Sequence, residues 1–263
     1  MTSTESHRYD IGIQVLKQVG GANYAAPLTS LQGIAPDLAR LTVEFGYGDI
    51  MSRKELDLQT RQLCTVVALA AMGNAQPQLK YHIAGALNVG CDANSVIETI
   101  FLCAVFAGFP ATINAVLAAK EVFQERGLAF QPQAHPANGE RYERGMAALE
   151  QLSAGAGKAV THSLMNIAPD FARFLVEFSY GDILSRTGID NRTKELAIIA
   201  LLTAKGTATP QLKVHIGAAL NVGVPKSEIV EVIQQMAVYA GFPAALNGIF
   251  AAKEVFFTAA GAA

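Results

Sequence analysis

Two histidines, His82 and His215, stand 133 residues apart in closely similar surroundings, each followed by small apolar residues. Histidine can give or take a proton near neutral pH, so a histidine that a chain carries twice is the first candidate for chemistry. The competing reading is a core histidine satisfied by its neighbours. Glu195 occupies the place that Gln62 holds in the earlier stretch, so a carboxyl able to act as an acid is available in only the second copy, which implies two copies of unequal activity. Arg61 and Lys194 share a basic position, and Arg53 and Arg186 share another. Cations repeated in this way suit the anchoring of a carboxylate. Asp49 precedes Arg53 by one helical turn, as Asp182 precedes Arg186, a spacing that also fits a simple ion pair along a helix. Asn88, just before Gly90, reads as the end of a helix.

Cysteine chemistry has little support. Cys64, Cys91 and Cys103 form no CxxC pair, and the shift of 133 replaces them with Ala197, Val224 and Met236, as expected of residues that pack. An odd number of thiols without pairing fits a reducing compartment. No phosphate-binding loop, nucleophile elbow, HExxH or other clustered set of metal ligands occurs, and no GxGxxG follows a strand. The chemistry that remains is a reaction of side chains on a small molecule, or binding alone.

The elements that must position these residues come in duplicate. Ala35-Pro36-Asp37 recurs as Ala168-Pro169-Asp170, Tyr47-Gly48-Asp49-Ile50 as Tyr180-Gly181-Asp182-Ile183, and Gly108-Phe109-Pro110 as Gly241-Phe242-Pro243, with no insertion between them. The proline-containing stretch Gln131–Gly139 reads as a linker, which divides the chain into residues 1–130 and 131–263. Pro36 can open a helix running to about Ile50. Asp57 can cap a helix that Gly73 stops. Further helices are expected over about Gln76–Val89, carrying His82, then Asn94–Ala107 and Ala111–Arg126. The fold class is therefore all-α, with two tandem helical domains.

Composition excludes several partners. Twenty Lys and Arg against 22 Asp and Glu give a net charge of −2 without a basic run, so neither nucleic acid nor an anionic membrane surface is expected. Ile100–Ala119 is uncharged, but Gly108 and Pro110 break it into two buried helices rather than a membrane span. The polar first ten residues lack the layout of a signal peptide, so a cytoplasmic protein is expected.

The run Tyr47-Gly-Asp-Ile-Met-Ser-Arg53, with Leu56, Thr60-Arg61, His82, Asn88, Gly90, Ala107-Gly-Phe-Pro110 and Asn114, resembles the carboxymuconolactone decarboxylase family. The second copy matches through Tyr239-Ala-Gly-Phe-Pro243 and Asn247. The resemblance implies the alkylhydroperoxidase D-like helical fold, an internal pseudo-dimer, and a ring built from three chains, because single-domain relatives form hexamers. It also implies a cofactor-free decarboxylase acting on a carboxymuconolactone-like butenolide acid in aromatic catabolism. His82, His215 and Glu195 would be catalytic and Arg53, Arg61, Arg186 and Lys194 would bind substrate. The cysteines of the peroxidase branch are replaced by Ala75 and Gln78, and by Ala208 and Gln211, which removes that mechanism. The arginine usual in the decarboxylases two residues after the histidine is Ala84 or Gly217 here, which implies a smaller or less charged substrate. The alternatives are a non-catalytic ligand-binding or assembly module of the same fold, and a lyase or isomerase on another lactone or oxo-acid.

Overall fold

A computed structural model describes residues 3–133, 139–153 and 155–258, of which the helices are α1 (Ser3–Gly20), α2 (Ala26–Gln32), α3 (Pro36–Leu41), α4 (Leu58–Met72), α5 (Gln76–Asn88), α6 (Ala93–Phe106) and α7 (Phe109–Glu125) in the first half. The second half repeats them as α8 (Arg141–Ser153), α9 (Ala156–Leu164), α10 (Pro169–Phe174), α11 (Asn191–Lys205), α12 (Thr209–Asn221), α13 (Lys226–Tyr239) and α14 (Phe242–Thr258). There is no strand among the described residues. Part of the linker expected at Gln131–Gly139, residues 134–138, lies outside them.

Local signals place most of these helices. The Asp57 side chain accepts the Thr60 N–H at 2.7 Å and Gly73 closes α4 in the left-handed region, φ 71°. Asp190 and Gly206 do the same for α11. Gly108, φ 87°, turns the uncharged stretch between α6 and α7, and Pro110 falls in the first turn of α7, where its missing N–H has no partner to lose. No described helix is long and apolar enough to cross a membrane.

Two features depart from the sequence reading. The first helix named from the sequence begins at Pro36, yet the structure adds α1 before it, which packs Val15, Leu16 and Val19 into a core with Val43, Tyr47 and Met51. The helix expected to continue from Pro36 to Ile50 instead widens into a π-helical segment, π1 (Thr42–Met51), mirrored by π2 (Leu175–Leu184). The Ser52 N–H reaches back five residues to the Tyr47 carbonyl at 3.0 Å, and the Ser185 N–H to that of Tyr180 at 2.9 Å. Helix α1 lies directly against this wide turn. A Cβ on Gly12 would collide with the Val43 carbonyl and one on Gly145 with that of Val176, so both positions require glycine. Single π turns inside helices often mark functional sites.

The halves share one core. Helices α4 and α11 pack against each other at the centre, and Val66, Val67, Ala68, Leu196, Ile198 and Ile199 are all fully buried in a single cluster that runs through both. Polar side chains cross between halves as well. Arg61, with 0% of its surface exposed, donates to Glu231 at 2.9 Å and to Gln235 at 3.1 Å, both on α13, and to the Arg53 carbonyl at 3.0 Å. Arg53 forks onto the same Glu231 at 2.7 and 2.9 Å. On the other side Arg186 grips Glu98 of α6 at 2.5 and 2.8 Å. The ion pairs along the helix expected for Asp49–Arg53 and Asp182–Arg186 are therefore absent: Asp49 pairs with Arg8, Asp182 with Arg141 and Arg144, and the two arginines turn to the opposite half.

Burial works to raise the Glu231 carboxyl, but the hydrogen bonds and charges of Arg53 and Arg61 outweigh it and hold the group below its ordinary value of 4.5. The stability this gives is present above that ordinary value and is lost as pH falls through the lower folded value. Glu231→Ala leaves Arg61 buried without a counter-charge and should destabilise the chain by about 3–5 kcal/mol at pH 7 in urea unfolding. The gap between parent and variant should narrow as the pH drops below 4.5.

Candidate active site

Helix α5 starts with Pro77 in its first turn and delivers His82 onto the buried face of α4. The ring is 5% exposed, and its Nδ1 lies 2.8 Å from Oε1 of Gln62, one residue beyond the buried Arg61. Because an amide oxygen accepts, Nδ1 carries the proton and Nε2 presents a lone pair. Tyr81 and Tyr239 meet the imidazole edge-on, with ring centroids 5.4 and 5.2 Å away. Tyr239 belongs to the second half. It lies four residues beyond Gln235 and eight beyond Glu231, on the same face of α13. Tyr47 of π1 completes the cluster on the side of Tyr81, whose buried hydroxyl has no hydrogen-bond partner among the described residues. Desolvation raises the phenols of Tyr47, Tyr81 and Tyr239, and pushes His82 down to about 3.

The second half builds the same arrangement with different atoms. His215 on α12 is also 5% exposed, and its Nδ1 lies 2.8 Å from Oε2 of Glu195, a carboxylate with no exposed surface. The other oxygen, Oε1, has no hydrogen-bond partner among the described residues. Phe106 of α6, from the first half, stands edge-on to the imidazole at 5.0 Å, where Tyr239 stands in the other site. Val214 replaces Tyr81. Tyr180 of π2 is raised to about 12, first by burial and then by the charge of Glu195.

The structure thus joins the expected histidines to Gln62 and Glu195. The expected substrate-binding cations are engaged within the protein: Arg53 and Arg61 with Glu231, and Arg186 with Glu98. Lys194 directs its ammonium at the carbonyls of Leu184, 2.7 Å away, and Arg186, and at Asn191 Oδ1 at 3.3 Å. Burial lowers its pKa. A polar cleft of about 300 Å³ beside this lysine is lined by Gln151, Arg186, Asp190 and Asn191, and His215 is not among its walls. Sequence reasoning missed Tyr47, Tyr180, Glu98, Glu231, Tyr239 and Phe106. The first four repeat at the same shift of 133, so the repeat itself could have flagged them.

The profile of the carboxymuconolactone decarboxylase family matches residues 36–121 and again 169–254. The chain belongs to that family. Each matched stretch contains one histidine, the residue that meets its Nδ1 and one π segment. Among curated relatives, this family member is 35% identical over 126 residues to the 4-carboxymuconolactone decarboxylase of Acinetobacter baylyi, covering 48% of this chain and 93% of that protein. It is 29% identical over 129 residues to a nitrosuccinic acid decarboxylase of Metarhizium robertsii, covering 47% of this chain and 88% of the relative. A crystal structure from Burkholderia xenovorans, of a protein provisionally named as a gamma-carboxymuconolactone decarboxylase subunit, aligns over 97% of this chain and 98% of its own with a TM-score of 0.58 and 25% identity.

The cysteines stand apart from both histidines. Cys64 and Cys103 are buried in the core and Cys91 is half-buried beside Gln59, and burial pushes all three thiols up to about 12. Replacing all three by alanine should leave turnover within a few-fold. The expected loss of stability is about 1 kcal/mol per site, read by thermal unfolding beside the rate assay.

Proposed function

We propose that this chain is a carboxy-lyase that removes CO2 from a small carboxylated lactone or a related acid activated in the same way. The observation that carries this reading is the buried contact between His215 Nδ1 and the Glu195 carboxylate, which fixes the imidazole and leaves Nε2 for a substrate. The names of two relatives give the class of reaction. In a carboxymuconolactone the electrons of the breaking C–C bond can run through the ring double bond onto the lactone carbonyl, and in nitrosuccinic acid they can run onto the nitro group. Both reactions ask the protein for an apolar wall at the departing carboxylate, a donor at the oxygen that gains charge, and a proton for the carbon left behind. Phe106 and Tyr239 supply walls; His215 and His82 are the candidates for donor and proton source, with Glu195 supporting His215.

Arg53, Arg61, Arg186 and Lys194 have a structural duty in this reading. A substrate carboxylate would have to displace Glu231 from Arg53 or Glu98 from Arg186 to be held by either. The second reading is a ligand-binding module without chemistry. Favouring it, Ala84 and Gly217 stand two residues after the histidines, and a Cβ on Gly217 would meet nothing within 4 Å. No guanidinium reaches the ligand from that place.

Assembly into a trimer is part of the proposal. Phe109, Ile113 and Leu117 form an exposed stripe along α7, and Phe242, Leu246 and Phe250 repeat it along α14. Three chains would bring six equivalent stripes into a closed ring. Native mass should equal three chains, and Leu117→Lys with Phe250→Lys should reduce it; a monomeric parent would contradict the ring.

For activity, His82→Ala combined with His215→Ala should lower CO2 release from butenolide and nitro-dicarboxylic acids by at least about a hundred-fold, with circular dichroism unchanged. Of the single variants, His215→Ala should remove more. A parent inert on every such acid would favour the binding module.

A further inference from the structure

The two histidine sites are superimposable in layout and differ at the atom that touches Nδ1. In the second half that atom is a carboxylate oxygen of Glu195, and in the first it is the amide oxygen of Gln62, each at 2.8 Å and each with no exposed surface. We propose that this position is a switch on proton delivery: Glu195 makes His215 the proton donor of the reaction, whereas Gln62 holds His82 as an acceptor only, so that each chain contains one turning-over site and one silent site. The proposal rests on the decarboxylase reading for its substrate, and on the geometry of the two pairs for its logic.

The step that separates the sites is reprotonation. Once CO2 has left, the electron pair of the broken C–C bond rests on an oxygen of the substrate. It returns to carbon as carbon takes a proton, forming a C–H bond while an N–H bond breaks and leaves its pair on nitrogen. A doubly protonated His215 can supply that proton from Nε2, since its Nδ1–H stays on Glu195 and the carboxylate balances the ring's positive charge. Water then returns a proton to Nε2. His82 has no equivalent state. Its single proton sits on Nδ1 and is donated to Gln62 Oε1, so Nε2 has none to give.

The surroundings sharpen the difference. The groups against His82 are Gln62 on α4, Tyr81 on its own helix, Tyr239 on α13 and, through Tyr81, Tyr47 on π1. None is an anion at neutral pH. The cation behind them, Arg61, is neutralised by Glu231. Val19 of α1 approaches Gly85, one turn along, and the Lys80–Glu121 pair between α5 and α7 is partly exposed. With burial unopposed, the His82 ring stays neutral down to about pH 3. Against His215 stand Glu195 on α11, which also acts on the neighbouring Lys194, then Phe106 on α6 and Val214 on its own helix. Tyr180 of π2 feels the charge of Glu195. The Lys213–Glu254 pair between α12 and α14 is partly exposed, matching Lys80–Glu121.

Each half supplies the control for the other, because the chain already folds with glutamine at one position and glutamate at its equivalent. Glu195→Gln should lower kcat by about a hundred-fold with KM within about three-fold, as a positioning residue acting through His215 requires. Gln62→Glu placed in the His215→Ala background should raise kcat at least about ten-fold over His215→Ala alone. In NMR titrations of the histidine rings, Gln62→Glu should raise the His82 midpoint by about two pH units or more, and Glu195→Gln should lower that of His215. Full activity in Glu195→Gln would overturn the switch, as would a Gln62→Glu, His215→Ala protein whose His82 titrates higher yet whose rate does not recover. If the Gln62→Glu protein fails to fold, Glu195→Gln alone decides by its rate and its titration. If the parent decarboxylates nothing offered, the decarboxylase reading fails by itself. The titrations then support the switch if both midpoints move as stated and overturn it if either stays in place.

Discussion

Arg61 is a charged side chain with no exposed surface, and its counter-charge comes from the other half of the chain. A buried guanidinium cannot be left uncompensated, and among the described residues the anion paired with it is Glu231 on α13, in the other half. The equivalent demand in the second half is met differently. Lys194 is satisfied by carbonyls and an amide oxygen of its own half, and Arg186 reaches across to Glu98 instead. Either way a helix of one half must be seated in the other. This requirement explains why the apolar core is continuous through α4 and α11, although the sequence divides neatly into two repeats.

The same helix face that neutralises Arg61 also covers the first histidine. Glu231, Gln235 and Tyr239 follow one another at intervals of four residues, so one rigid face sets the ion pair, the amide contact and the ring against His82 together. On α6 the corresponding face carries Glu98, Leu102 and Phe106 and does the same for His215. Each site is therefore composite, and its geometry depends on docking between halves more than on the loops around it. The π segments serve the same end. Their wide turn lets α1 or α8 approach backbone to backbone, and it brings Tyr47 or Tyr180 towards the histidine cluster.

What the sequence made legible was local or repeated. Asp57 and Gly73 announce α4 because a cap and a left-handed stop act within a few residues, and the glycine–proline corner at Gly108 and Pro110 is equally self-contained. His82 and His215 stood out because the repeat kept them, and Gln62 was noticed only as the counterpart of Glu195. The partners of Asp49 and Arg53 were misread for an instructive reason. An i,i+4 spacing offers a contact at little entropic cost, but Glu231 offers Arg53 a forked one, and the same carboxylate is already fixed by Arg61. The π segment was hidden because its pattern begins as an ordinary proline-started helix. Only the approach of α1, through Gly12 and Gly48, requires the wider turn.

Placing both sites in one chain changes what substitution can achieve. In an assembly of identical single-domain subunits, any change at the histidine's partner appears at every site, so an enzyme must keep the carboxylate everywhere or lose it everywhere. Here the two positions are encoded separately. Glutamine differs from glutamate by one heavy atom, preserves the 2.8 Å contact to Nδ1 and buries no charge, so the first half can relinquish the carboxylate without opening a cavity. The aromatic surroundings have diverged with it: Tyr81 and Tyr239 border His82, against Val214 and Phe106 at His215. Three hydroxyls gather beside the neutral pair and one beside the charged pair. Burial raises all four of these phenols, so they stay un-ionised beside either pair and add dipoles without adding charge; the carboxylate of Glu195 is then the one difference in acid groups between the two clusters.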